Sequence, residues 1–359
     1  PIIQGTSFAF IPIMIPFKAA GLGAVFTAAF IGGIFQVFIG KVLKPIRHLF
    51  PPLVTGIVVL MIGVSLLKVG FMYAGGGAWL MNNKPEIFGS SNHLIVAFTV
   101  LIVSLVLNVK GKGMISSASI LLGMVAGYLV AMSLGMVNYG KIASAGWFAF
   151  PMPLQYGIDF VPGAIILMLF MSIVTTIETI GDISATTMGG DNREATDKEL
   201  SGGIMADGVG TAFGALFNAM PNTSYSQNAG LVAFTGVISR HVGTIAGIIL
   251  VLMGLFPKLG GIIASMPESI IGGAAIIMFG LIASAGIKLI SRSEMNQTNM
   301  LILGLSLSFG IGLSLLPQFV SHIPDFGISF KLLLTTGLIP AGILAFVLNA
   351  TLSKSKKKR

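Results

Sequence analysis

Long apolar runs, each closed by a short polar or basic loop, recur along the whole of this 359-residue chain. The pattern predicts twelve membrane segments, since crossing a hydrocarbon core of about 30 Å takes roughly 20 apolar helical residues. Full spans are expected at 20–40, 51–70, 93–109, 115–135, 160–184, 199–218, 242–257, 267–290, 297–316 and 330–350. A looser region, 136–159, contains Trp147 and several other aromatics and suits the membrane interface. Two segments, 2–17 and 222–240, do not read as simple spans. PIIQGTSF at the front and the polar stretch from Asn222 to Ser226 look extended. Asn222, Thr223, Ser224 and Ser226 are poor mid-helix residues, because their side chains compete for backbone hydrogen bonds. From Asn228 to Arg240 only 13 residues remain, about 20 Å of helix, too short to cross. Both segments are therefore expected to be broken: an extended piece, then a half-helix. The second half-helix should start near Asn228, and Pro12 suits the first turn of the first. Non-helical backbone at membrane depth survives only where it is buried in protein or lines a cavity. A half-helix also brings free N–H groups and a positive dipole end to the midplane, where a polar solute can be held. Gln227 and Asn228 stand at that junction.

The two broken segments belong to an internal repeat. Thr6-Ser7-Phe8 and Thr223-Ser224-Tyr225 lie 217 residues apart, and Pro51–Gly56 and Pro267–Gly272 lie 216 apart. A second repeat over about 160–350 has seven segments, and an odd number inverts one copy in the membrane. The first repeat has five here, so two helices are expected before Pro1. With the C-terminal tail placed inside, fifteen of the 21 basic residues fall on that side, which supports a cytoplasmic C-terminus.

Composition agrees with a polytopic membrane protein. Residues are 54% hydrophobic and 9% charged, against about 25% charged in soluble domains. The net charge of +9 sits in loops and the terminal KKKR cluster, not on one helical face, so no nucleic-acid partner is expected. Cysteine is absent, which excludes disulfides, thiolate metal sites and cysteine nucleophiles. His48, His93, His241 and His322 show no metal-ligand spacing. No metal or cofactor is expected; an ion gradient would supply the energy.

Three acids interrupt the apolar segments. Glu178 and Asp182 in IETIGDIS are four apart and share a helix face, and Asp207 lies in the glycine-rich GGIMADGVG. An ionisable group at membrane depth is costly and by default functional. No intramembrane Lys or Arg is available to pair with these, which suits groups that take up and release a proton. The plainer alternative is that they lock helices together through backbone N–H groups and hydroxyls.

Gln227-Asn228-Ala229-Gly230 followed by Thr235-Gly236 resembles the signature of the nucleobase–ascorbate transporters, the second class of nucleobase:cation symporters. ETIGDISAT around Glu178, MADG around Asp207 and QGTSF before Phe8 also look like that family, so the resemblance covers essentially the whole chain. It implies an all-α inverted-repeat transporter of seven plus seven helices, with the first two absent from this chain. It further implies a core domain (1–48 and 160–258) and a gate domain (49–145 and 259–352), with residues 353–359 as a cytoplasmic basic tail. Glu178 and Gln227 would bind substrate, with Asn228 in support, backbone near Ser7 and Phe8 closing the other side, and the Phe8 ring over the base. Asp182 and Asp207 would serve transport, and Gly230, Thr235 and Gly236 would bear on specificity and helix packing. The expected partners are a purine nucleobase, a proton, the lipid bilayer and a second copy joined through the gate domain, in a bacterial cytoplasmic membrane.

The chemistry is consistent with such a substrate. A carboxylate only accepts hydrogen bonds, whereas a carboxamide both accepts and donates. Glu178 with Gln227 can read the mixed edge of a purine dione, while Phe8 stacks. Gln at position 227 implies xanthine or urate in this family; Glu there implies uracil-type substrates. Import by proton symport is the expected function, with another nucleobase or Na⁺ coupling as alternatives. An anion transporter of the same architecture is more remote, because carboxylates repel anions. An intramembrane aspartyl protease lacks a second aspartate in a suitable motif, and a channel or purely structural protein does not explain broken helices beside buried acids.

Overall fold

The computed structural model describes residues 1–42, 51–322 and 334–355. Nearly every element is helical, as backbone in lipid requires. The exceptions are the two broken segments. Strand β1 (Gln4–Thr6) leads through a 3₁₀ turn at Phe8–Phe10 into α1 (Ile11–Met14) and a second 3₁₀ stretch, Ile15–Ala20. Pro12 falls at the start of α1, where its missing N–H costs nothing. Pro16 removes another donor, and the first half-helix is a mixture of α and 3₁₀ turns.

The chain continues through α2 (Leu22–Lys41), α3 (Pro52–Ala74), α4 (Ser91–Lys110) and α5 (Ser119–Ser133). After a short helix at Tyr139–Ser144 come α6 (Pro162–Asp191) and α7 (Asp197–Leu216). Strand β2 (Asn222–Ser224) then leads into α8 (Ser226–Thr235), followed by α9 (Arg240–Gly254), α10 (Pro257–Ser265), α11 (Glu268–Ile290), α12 (Gln297–Leu315) and α13 (Leu338–Ser355). Among the described residues six helices, α2, α3, α4, α6, α11 and α12, are long and apolar enough to cross a membrane. A seventh is counted if α9 and α10 form one span across their 78° bend. The other expected spans are shorter apolar helices (α5, α13) or, in α7, a helix that opens on Asp197, Lys198 and Glu199.

Several expected boundaries move. The second half-helix starts at Ser226 rather than near Asn228, because the polar stretch stays extended only as far as Tyr225. It ends at Thr235, not Arg240: Gly236 adopts φ 66° and its N–H caps the Val232 carbonyl, a left-handed C-cap that glycine takes without strain. The expected span 242–257 begins at Arg240 and stops at Gly254, before the bend into Pro257. The helix expected at 330–350 is described from Leu338, and it runs on to Ser355, into the stretch read as the tail. Lys44, Arg47, His48, residues 323–333 and the terminal KKKR lie outside the described residues.

β1 and β2 pair antiparallel, with Gln4 opposite Ser224, Gly5 opposite Thr223 and Thr6 opposite Asn222. Both segments read as extended; that they pair is new. The ladder satisfies backbone groups that lipid could not, and Thr211 adds to it by accepting from Asn222 N–H at 3.0 Å.

The helices pack in two groups. In one, α2 lies against α6 and α7, with α8 on α6. Here a Cβ added to Gly208 would sit 2.6 Å from the Gly33 carbonyl, so only glycine allows so close an approach. In the other, α11 lies along α3, α4 packs on α5 and α11, and α13 on α12 and α3. A shared cluster joins them: Ala28, Leu167 and Met171 from the first group meet Ile57, Met61 and Phe279 from the second. The looser region 136–159 runs between the groups. Lys258 donates to the Ile142 carbonyl at 2.7 Å and lies 5.5 Å from the exposed Trp147 ring. Further on, Leu154 N–H donates to the Leu216 carbonyl, and Asp159 N–H to Thr27 Oγ1.

Candidate functional site

Around the crossing of the two broken segments the structure gathers the three membrane-depth acids. Glu178 and Asp182 project from α6 and Asp207 from α7, and Glu178 is close enough to feel both other carboxyls. Asp207 is wholly buried. Its Oδ2 accepts from Gln36 Nε2 on α2 and from Thr179 Oγ1 on α6, both at 2.9 Å. Its Oδ1 has no hydrogen-bond partner among the described residues. Asp182, nearly buried, accepts from Ser224 Oγ of β2 at 2.5 Å. The same Ser224 hydroxyl lies 3.4 Å from Thr179 Oγ1. Glu178 is half-buried and faces the Thr223 hydroxyl, which is itself buried and forms no well-made hydrogen bond. Neither Glu178 nor Asp207 has an ion-pair partner among the described residues; the ion pairs seen join Arg193 to Asp191 and Glu199 at the α6–α7 turn.

The other expected site residues take different places. Ser7 spends its side chain on the first half-helix, accepting from Ala9 N–H at 3.1 Å, and its own N–H donates to the Pro221 carbonyl. The Phe8 ring meets Phe279 of α11 edge-on, with centroids 5.4 Å apart, so it bridges the two helix groups. Asn228, in the first turn of α8, donates to the Pro1 carbonyl at 2.6 Å. Thr235 and Gly236 stand at the far end of α8, roughly 13 Å along its axis from Ser226. There Thr235 Oγ1 donates to the Leu231 carbonyl at 2.8 Å. Gln227 and Gly230 belong to α8, but the Gln227 side chain and Gly230 beyond its backbone lie outside what is described.

Gln36, Thr179, Thr223 and Ser224 hold or face these carboxyls, and the sequence marks none of the four as a site residue. Gln36 carried a usable signal, as a carboxamide in the otherwise apolar run of α2. Thr179 looks like an ordinary small polar residue, and Ser224 reads only as part of the extended stretch, until the fold sets them beside carboxylates.

Residues 1–319 match the model of a family described as "Permease family". A Clostridium perfringens protein named as a purine permease is 39% identical over 354 residues, covering 98% of this chain and 76% of its own. The chain belongs to the nucleobase–ascorbate transporters. Xanthine permease XanP of Escherichia coli K12 is 34% identical across 99% of this chain and 79% of its own length. Uric acid permease PucJ of Bacillus subtilis is 33% identical across 100% and 80%. Among solved structures, the transmembrane domain of the cyanobacterial bicarbonate transporter BicA superposes with TM-score 0.59 at 15% identity, over 97% of this chain and 84% of that one. That likeness concerns the fold, which is the inverted-repeat transporter fold. Family membership makes the chain a multi-pass membrane transporter and not an enzyme.

Proposed function

We propose that this permease imports a purine nucleobase, xanthine or urate, by proton symport through alternating access. The observation that carries the reading is the cluster of Glu178, Asp182 and Asp207 around the paired strands, where Glu178 and Asp207 have no cationic partner among the described residues. Carboxyls held at membrane depth without countercharge are suited to exchanging a proton. The relatives named for xanthine, uric acid and purines support the substrate class. Glu178 is the acceptor-only contact for the substrate, Gln227 the mixed donor and acceptor, Asn228 its support, and Phe8 with the Ser7 backbone the opposing wall. Asp182 and Asp207 serve coupling; Gly230, Thr235 and Gly236 tune specificity. The site group moves as a core domain against a gate domain built on α3 and α11, the gate domain also forms the dimer, and the C-terminus is cytoplasmic in a bacterial inner membrane.

Uptake of labelled xanthine into cells, with a panel of purines and pyrimidines as competitors, tests this reading. Uptake should collapse with a protonophore and be unaffected by replacing Na⁺; Na⁺-dependent uptake indifferent to the protonophore would overturn the coupling. Preference for uracil in the panel would overturn the substrate. Gln227→Glu exchanges a donor for a second acceptor and leaves a substrate carbonyl unmet, at about 1–3 kcal/mol, or roughly 5- to 150-fold in affinity. Xanthine and urate uptake should weaken unevenly across analogues. Parallel shifts for all of them would defeat Gln227 as selector.

A further inference from the structure

We propose that the Thr179 and Ser224 hydroxyls relay a proton between Asp182 and Asp207. The inference rests on the proton-symport reading and adds the path along which the proton moves. Four groups form an unbroken line: Asp182 Oδ2, Ser224 Oγ at 2.5 Å from it, Thr179 Oγ1 at 3.4 Å from that, and Asp207 Oδ2 at 2.9 Å from Thr179. Ser224, Thr179 and Asp207 are at most 1% exposed and Asp182 is 7% exposed, so the line is shut off from bulk water.

The decisive geometry is at Ser224. A serine hydroxyl carries one proton, and here it has two acceptors in reach. It can donate to Asp182 or to Thr179, never to both. With Asp182 ionised, the shorter contact wins, and Ser224 donates to the carboxylate. Once Asp182 carries a proton it becomes the donor, and Ser224 turns its own proton towards Thr179. Thr179 already points its proton at Asp207. Transfer along the line then moves one proton per link: Asp182 gives one to Ser224, Ser224 gives its own to Thr179, and Thr179 gives its own to Asp207. Asp182 ends ionised, Asp207 ends neutral, and each hydroxyl has given one proton and taken one.

The surroundings suit the direction. Asp207 is short of donors, since Gln36 and Thr179 both serve Oδ2 and Oδ1 meets none. Among the described residues Glu178, on the same helix as Asp182, is a further titratable group that faces the line. Ser224 sits on β2, immediately before the half-helix that carries Gln227 and Asn228, so its rotation links the protonation of Asp182 to the segment expected to hold substrate. Thr179 and Ser224 thereby act as positioning and relay residues and not as substrate contacts.

The full-length protein in liposomes provides the test, with labelled xanthine as probe and a trapped pH dye. Three quantities are read: xanthine exchange at equal pH, accumulation driven by an imposed pH gradient, and proton entry on addition of xanthine. Thr179→Val and Ser224→Ala should lower coupled proton entry and gradient-driven accumulation by about 100-fold, the scale of a positioned proton-transfer group, while exchange continues. Thr179→Ser should restore coupling. Wild-type coupling in both hydroxyl-free variants would overturn the relay. Equal loss of exchange and coupling in both would also overturn it, because it marks a purely structural role. Two separate substitutions guard against one that fails to fold. If the wild-type protein accumulates xanthine without proton entry, the symport reading itself fails and the relay with it, an outcome recognisable because no variant is needed to see it.

Discussion

The group built on α2, α6 and α7 and the group built on α3 and α11 solve the same packing problem and diverge in what they bury. Both use glycine to bring backbones together: a Cβ on Gly208 would meet Gly33, and one on Gly63 would lie 2.5 Å from Ala283 N. In lipid, where apolar surface gives helices no reason to prefer one another over the bilayer, such close contact is the main source of association. The α3–α11 seam is filled by Ile57, Met61, Ile62, Leu66, Ala275 and Phe279. Buried hydroxyls in that group, at Ser65, Ser104 and Ser306, have no hydrogen-bond partner among the described residues. The first group instead knits Gln36, Thr179, Asp182, Asp207 and Ser224 together across three helices and a strand. The first group links its carboxyls into one network, although Asp207 Oδ1 and the Thr223 hydroxyl stay outside it, whereas the polar side chains of its neighbour pair only locally, as His93 does with Ser269. One group buries three carboxyls, and the other buries an almost wholly apolar seam.

The difference can be put under strain by substitution. The largest effect is expected at Glu178. Glu178→Gln keeps the volume but removes the acceptor-only group, and uptake of labelled xanthine should be abolished with surface expression unchanged. Wild-type rates in this variant would remove Glu178 from the site. A smaller loss is expected for Gln36→Leu, which takes one of two donors from Asp207 Oδ2. Leaving that buried acceptor under-satisfied costs about 1–3 kcal/mol, or roughly 5- to 150-fold when it falls on transport. Uptake kinetics together with detergent melting would show where the cost falls; no change in either would mean that the buried network is as incidental as the hydroxyls of the other group. The smallest effect belongs to Ser306→Ala on α12. Deleting a buried hydroxyl that has no partner should leave melting within about 1 kcal/mol of wild type, on the stabilising side. A clear loss there would show that the second group also depends on its polar atoms.

Much of this was legible in the sequence. Hydropathy and spacing placed most of the long helices within a few residues, because a span needs length and apolarity and little else, although α6 runs to Asp191, seven residues past its expected end at 184. The polar stretch after Pro221 betrayed a broken segment for the same reason. The half-helix boundaries were less accessible. Gly236 reads equally well as a residue inside a helix, and only its backbone angle marks it as the cap. The three acids stood out as charges among apolar residues, but the groups that hold them did not. Thr179 and Ser224 acquire their meaning from contacts across 28 and 42 residues, and Gln36 from one across 171. The strand pairing is of the same kind: three residues on each side, more than 200 positions apart, too short to have a pattern of their own.

That ladder makes the chemistry of one half of the chain answerable to the spelling of the other. Side chains alternate along a strand, so a slip of one residue turns every one of them over. If β2 shifted by a single step against Gln4–Thr6, Ser224 would leave Asp182 and Thr179, and the line to Asp207 would be broken. Nothing in the ladder's own three rungs forbids the slip strongly. Tyr225 supplies the lock: its N–H donates to the Ile3 carbonyl, its hydroxyl reaches over Gly5 to the Thr6 carbonyl at 3.1 Å, and the glycine leaves room for the ring. A methyl group at Gly5 would collide with that hydroxyl and turn the exposed Tyr225 ring away, giving up its hold on the Thr6 carbonyl and with it one of the two contacts that fix which residue of β2 faces Asp182.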